Sequence, residues 1–189
     1  MAPNPVSLDF DVSDRAVLLL SLTLGHAAQR RGIWLGLVES CTGGLAASWV
    51  TQVWGSSAWF EGGVVTYSNA MKELLVAVSP EALAQHGAVS APIAAQMAAG
   101  FACRLDGLGR KLMVASVTGV AGPAGGTNLK PVGTVWFGWD ARGCGPVNPP
   151  SRTQLCRFAG DRHRIQRQAA WWALSGLASW LMAQPRETA

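Results

Sequence analysis

Between Ile33 and Val53 three residue patterns follow one another with no spacer. Ile33–Val38 is an unbroken apolar run, the pattern of a strand buried on both faces. Glu39-Ser40-Cys41-Thr42-Gly43-Gly44 is a turn, since paired glycines admit the positive φ that a tight reversal needs. Leu45–Val53 then has helical periodicity. A doubly buried strand that runs through a glycine turn into a helix needs both faces of its sheet covered, and layered α/β domains provide that.

The rest of the chain continues the alternation. Asp14 is placed to cap a helix reaching Gln29, with Arg30 and Arg31 at its C-terminal end and Gly32 as the stop. Val64–Tyr67 reads as a second strand, and Asn69–Leu75 as a short helix. Ser79-Pro80-Glu81 and Ser90-Ala91-Pro92 each open a helix, the second running to Arg104, with proline in the first turn. Lys111–Val117 is a third strand, followed by the glycine-rich loop Thr118–Gly126. Val132–Asp140 and Thr153–Phe158 alternate as paired strands. Asp161 caps a last helix to Met182, with Trp171, Trp172, Leu174, Leu177 and Leu181 on its apolar face. The expectation is a single three-layer α/β/α domain with a mixed central sheet over residues 14–184, preceded by a flexible segment over 1–13.

Composition narrows the function classes. The chain has 189 residues, enough for one sizeable core, and is 49% hydrophobic and 14% charged, which excludes a disordered chain. The net charge of +4 is mild. The basic residues cluster only at Arg152–Arg167, without the aromatic interleaving of single-strand binders, so nucleic acid is not the expected partner. No apolar run reaches the ~20 residues of a membrane span. Ala16–Leu24 is short, follows Asp14 and Arg15 directly, and lacks the features of a signal peptide, so the expected location is the cytoplasm. Cys41, Cys103, Cys144 and Cys156 have no C-x-x-C spacing and read as reduced thiols, and three dispersed histidines make no metal cluster. Neither a metal nor a cofactor is expected. Nine tryptophans against one tyrosine suggest a buried homo-oligomer contact.

Ser40 sits where the buried strand ends. A hydroxyl there is exposed beside backbone N–H groups and the positive end of the next helix, a place suited to an oxyanion or a phosphate. The alternative is that Ser40 or Thr42 caps that helix. A catalytic serine needs a base, and no histidine is near in sequence. Tyr67 and Lys72 are the candidates, with Lys72 one turn into the helix that Asn69 opens, able to face back towards Tyr67. The competing reading makes Tyr67 a half-buried strand residue and Lys72 a solvated one. Cys41 is a second possible nucleophile, since a helix N-terminus lowers a thiol pKa. The Thr118–Gly126 loop marks the neighbourhood of a site or a plain connection. Arg162, at a helix start, is either a phosphate fork or a surface residue.

Taken in order, Glu39-Ser-Cys-Thr-Gly-Gly44, Gly55-Ser-Ser-Ala-Trp-Phe60, Val65-Thr-Tyr-Ser-Asn69, His86-Gly-Ala-Val-Ser90, Thr118-Gly-Val-Ala-Gly-Pro123, Lys130-Pro-Val-Gly-Thr-Val-Trp136 and Gly160-Asp-Arg162 resemble the C-terminal domain of the CinA proteins over residues 15–183. That family includes stand-alone bacterial nicotinamide-nucleotide amidohydrolases. The resemblance implies hydrolysis of the carboxamide of nicotinamide mononucleotide to nicotinic acid mononucleotide and ammonia, in a compact homo-oligomeric α/β/α protein without a metal. It implies Ser40 as nucleophile, with Tyr67 and Lys72 as the proton relay. Glu39, Cys41, Thr42, Gly43, Gly44, Asn69, Thr118, Gly119 and Arg162 form the implied substrate-binding set. Many relatives carry an acidic residue where this chain has Ala124, and the 104–111 and 143–152 connections look longer than in the family. A non-catalytic nucleotide-binding or competence-linked interaction module is the alternative function.

Overall fold

The computed structural model describes residues 4–144 and 151–183. Within them the strands form one six-stranded sheet. In chain order the elements are β1 (Val6–Leu8), α1 (Asp14–Gln29), β2 (Ile33–Glu39), α2 (Leu45–Thr51), β3 (Phe60–Val65), α3 (Asn69–Val76), α4 (Pro80–His86), α5 (Ala91–Leu105), β4 (Lys111–Gly119), β5 (Thr134–Arg142), β6 (Arg152–Phe158) and α6 (Arg162–Ala183).

The strand order is β1-β6-β5-β4-β2-β3. β2 is parallel to both β4 and β3, β5 is antiparallel to both its neighbours, and β1 is parallel to β6. The sheet is therefore mixed, with a parallel unit of β4, β2 and β3 whose C-terminal ends share one edge. The chain moves from β2 to β3 through α2, then back past β2 to β4 through α3, α4 and α5. Right-handed crossovers in opposite directions place their helices on opposite faces. Accordingly α1, α2 and α6 pack with Leu35, Leu37, Met113, Ala115 and Phe137 on one face. α3, α4 and α5 pack with Val38 and Val114 on the other. This is the expected three-layer α/β/α architecture, and β2 is buried along nearly its whole length. α5 lies so close to β5 that a Cβ at Gly138 would sit 2.3 Å from Ala94 O. No helix of the described residues is long and apolar enough to cross a membrane.

The structure departs from the sequence reading in several places. The expected flexible 1–13 segment carries β1, paired in register with Cys156–Phe158. Phe10 packs edge-on against Phe158 and beside Trp172, and its N–H donates to Gln168 Oε1 at 3.3 Å. Arg164 pairs with Asp9 and Asp11 at 3.0 and 3.1 Å, and Arg167 with Asp14 at 2.7 Å. Part of the basic cluster on α6 thus holds the N-terminal segment. The cap of α1 is Ser13, whose hydroxyl accepts from Ala16 N–H, and Asp14 is the first helical residue. β3 begins at Phe60, four residues before the expected Val64, because Gly62 and Gly63 mask the pattern. Gly63 packs closely there, since a Cβ would lie 3.2 Å from Leu37 O on the neighbouring strand. The 104–111 connection holds a single 3-10 turn, Asp106–Leu108. Residues 145–150 of the other long connection lie outside the described residues.

Candidate active site

The C-terminal ends of β2, β3 and β4 bring together Ser40, Thr66–Tyr67 and Thr118. Ser40 continues the strand by donating its N–H to Val117 O on β4 at 3.0 Å, and Thr66 N–H donates to Glu39 O at 2.7 Å. The chain then turns sharply. Gly43 and Gly44 have φ of 65° and 98°, and a Cβ at either would meet no close neighbour. Backbone conformation, not space, requires glycine at both positions.

Glu39 organises this turn. Its carboxylate is buried and accepts from the N–H groups of Gly44 (3.0 Å), Ala46 (3.2 Å) and Ala47 (2.8 Å). These are the otherwise unsatisfied donors at the start of α2, so the chain supplies its own anion at that helix end. A phosphate or oxyanion held by the first turn of α2, as its position in sequence suggested, therefore meets donors already engaged. The Gly43 N–H is committed as well, to Ser40 O at 3.1 Å. Within the turn, the N–H groups of Cys41 and Thr42 donate to no other described residue.

Lys72 approaches Ser40 from α3, which starts just beyond β3 with Ser68 as its cap. Its side chain is 1% exposed, and its Nζ lies 3.1 Å from Ser40 Oγ. The same nitrogen donates to Thr66 O at 2.6 Å and to Tyr67 O at 3.4 Å. Burial, which penalises the ammonium form, lowers its pKa from the ordinary lysine value. A neutral amine has two N–H donors and one lone pair. In that form, with the two carbonyl oxygens accepting its N–H groups, the amine would keep its lone pair for the Ser40 hydroxyl.

Tyr67 is 62% exposed, and its phenol does not meet Lys72, as sequence spacing suggested. Its hydroxyl instead accepts from Arg162 Nη2 at 3.2 Å, while Arg162 Nη1 donates to Gly122 O at 2.7 Å. The lysine touches the Tyr67 main chain only. Arg162 is therefore next to the site but ties β3's end to the glycine-rich loop. Thr118 is buried and donates to Ala88 O at 2.9 Å, and Gly119 is tight against β5, with Thr134 O 2.8 Å from where a Cβ would be. Asn69 opens α3 exposed, and Ala124 is exposed in its loop.

Cys41 is buried, and its thiol pKa is pushed up to about 12, first by burial and further by the Glu39 carboxylate, against the pull of Lys72 and Arg162. The helix-terminus argument for a reactive thiolate fails first because the thiol is buried, and also because Glu39 occupies that terminus. Two residues absent from the sequence-level set belong to the site. Thr66 supplies a carbonyl to Lys72, and its buried Oγ1 has no partner among the described residues, like Thr42 Oγ1. Gln166, one turn after Arg162, donates Nε2–H to Cys41 O at 2.8 Å. Its spacing of four from Arg162 on one helix was the available signal.

The fold and this edge define a single-domain α/β protein with a buried serine–lysine pair at the carboxyl end of a parallel strand unit. Residues 19–181 match the CinA C-terminal domain, and the chain belongs to that family. It is similar to the nicotinamide-nucleotide amidohydrolase PncC of Escherichia coli (strain K12), 45% identical over 169 residues, covering 88% of this chain and 95% of that protein. The crystal structure of a CinA superfamily protein from Klebsiella pneumoniae 700603 superposes with a TM-score of 0.78 at 34% identity, covering 88% of this chain and 98% of that one. The competence/damage inducible protein CihA from Agrobacterium tumefaciens gives 0.79 at 32% identity, covering 91% and 98%.

Proposed function

We propose that this chain is a nicotinamide-nucleotide amidohydrolase that releases ammonia from the carboxamide of nicotinamide mononucleotide, with Ser40 as nucleophile and Lys72 as its base. The observation that carries this reading is the Lys72 amine, buried, set between two carbonyl acceptors and 3.1 Å from Ser40 Oγ. The similarity to the Escherichia coli amidohydrolase across almost the full length of both chains supports the substrate class.

In this mechanism Ser40 Oγ bonds to the carboxamide carbon as its proton passes to Lys72 Nζ. The carbonyl oxygen becomes an oxyanion, and the N–H groups of Cys41 and Thr42 are the donors left to meet it. The Lys72 ammonium then protonates the amide nitrogen, which is a poor leaving group until it carries that proton. The C–N bond breaks, ammonia departs, and an acyl-serine remains. Water, deprotonated by the same amine, attacks the acyl carbon, and the proton returns to Ser40 Oγ. Tyr67 and Arg162 are bonded to each other at the same edge of the sheet. Arg162 has N–H groups beyond the two engaged with Tyr67 and Gly122, and these suit the mononucleotide phosphate.

Ammonia release is measured from nicotinamide mononucleotide, the riboside and free nicotinamide, with Ser40→Ala as control. Release from the mononucleotide that disappears in the variant is expected. Equal release from Ser40→Ala would overturn the nucleophile, and no release from folded wild-type protein would overturn the activity.

A further inference from the structure

Among the described residues, the Cys41–Thr42 peptide is held from outside the turn by one side chain, Gln166 of α6. Its Nε2 donates to Cys41 O at 2.8 Å, across 125 positions of sequence. Among the described residues, the backbone N–H groups of this turn otherwise bond to β2, β4 or the turn itself: Ser40 N–H to Val117 O, Gly43 N–H to Ser40 O, Gly44 N–H to Glu39 and Leu45 N–H to Thr42 O. None of them holds the Cys41 carbonyl.

A trans peptide is planar, so its C=O and N–H point in opposite directions. Fixing the Cys41 carbonyl on Gln166 therefore aims the Thr42 N–H away from α6. That N–H has no acceptor among the described residues. A donor bonded to a carbonyl also polarises the peptide and strengthens its N–H as a donor.

We propose that Gln166 is a positioning residue for the oxyanion: it sets and polarises the Cys41–Thr42 peptide so that the Thr42 N–H faces the developing negative charge. This role depends on Ser40 being the nucleophile, as proposed above. It places on α6 a second function four residues from Arg162, since positions i and i+4 share a helix face. Arg162 fastens β3's end and the glycine-rich loop, and Gln166 fastens the nucleophile turn. The first turns of α6 thus join all three loops of the site.

The residue acts on charge that exists only in the transition state, so its loss affects kcat and leaves KM nearly alone. Gln166→Met keeps the length and removes the donor, and Gln166→Lys restores a donor. Steady-state ammonia release from nicotinamide mononucleotide is measured for both variants, beside Ser40→Ala and with Tm for each protein. Gln166→Met is expected to lower kcat about tenfold, less than the ~10²–10³ of losing an oxyanion donor outright. KM is expected to stay within about twofold, with Gln166→Lys recovering most of kcat. A wild-type kcat in Gln166→Met, with Ser40→Ala inactive, overturns the positioning role and leaves the nucleophile intact. A loss of kcat in Gln166→Lys equal to that in Gln166→Met, with Tm lowered in both, also overturns it, because Gln166 is then only structural. An active Ser40→Ala overturns the nucleophile first, and the positioning role with it.

Discussion

Lys72 Nζ lies 3.1 Å from Ser40 Oγ, although the residues are 32 positions apart, one just past the end of β2 and the other in the helix that follows β3. Ser40 is fixed by the β2–β4 pairing and Lys72 by the helix that starts after β3. The contact therefore exists because β2 and β3 pair in parallel and end together. A lysine this buried is costly to keep charged, and the carbonyls of Thr66 and Tyr67 accept its protons without neutralising it.

Lys72→Met should lower kcat by about 10²–10⁴, the usual contribution of a positioned acid–base group. Nucleotide affinity, read by calorimetry, should stay near wild type, because the amine meets the reacting serine and not the phosphate. Lys72→Arg should fail to rescue, since a guanidinium has no accessible lone pair at working pH.

The pH dependence follows from the direction of the Lys72 shift. Its pKa is lowered from 10.5 by burial, so kcat/KM should rise along an acid limb whose midpoint is below the ordinary lysine value. The sign for stability is the same. Between the folded and unfolded pKa values the unfolded chain binds the extra proton, so this residue's contribution improves as pH rises and worsens as pH falls through the folded pKa. Tm against pH for wild type and Lys72→Met checks it: the variant should gain on wild type towards acid, and parallel curves would contradict a lowered Lys72 pKa.

Cys41 should be inert. With its pKa near 12 it is a thiol at neutral pH, whereas Cys103 is exposed. Iodoacetamide at neutral pH should label Cys103 first and leave ammonia release unchanged, with mass spectrometry locating the adduct.

Glu39→Gln should loosen the turn. The amide keeps one acceptor oxygen where the carboxylate served three N–H groups. The loss of charge at a helix start and of charge-assisted bonds amounts to about 1–3 kcal/mol. At ~2–4 °C per kcal/mol for a chain of this size, Tm should fall several degrees, and kcat with it.

Phe10→Ala tests the N-terminal strand. Phe10 joins Phe158 and Trp172 over the end of β6, and removing a half-buried ring should cost about 1–3 kcal/mol. Hydrogen exchange at Val6–Leu8 should speed up while exchange in β2 stays slow. The ion pairs of Arg164 with Asp9 and Asp11 are exposed and should not compensate.

Much of this was legible in the chain itself. The apolar run of β2, the glycine turn and the alternation of strands and helices fixed the layered α/β class, because local periodicity and turn chemistry act over a few residues. Ser40, Lys72 and Arg162 were placed at strand ends and helix starts in the same way, and the family resemblance, not local pattern, gave them their expected roles. Contacts across the sheet were not legible. That the Arg162 guanidinium takes the Tyr67 phenol and that Gln166 reaches Cys41 depend on how α6 packs over the edge of the parallel unit. So does the pairing of Val6–Leu8 with β6, since three residues with no amphipathic pattern become a strand only beside an unpaired edge. Sequence determined which groups were available at each strand end. The tertiary structure decided which of them meet and which is buried enough for its charge to be penalised, because hydrogen-bond distance and desolvation belong to the packed molecule and not to any segment of it.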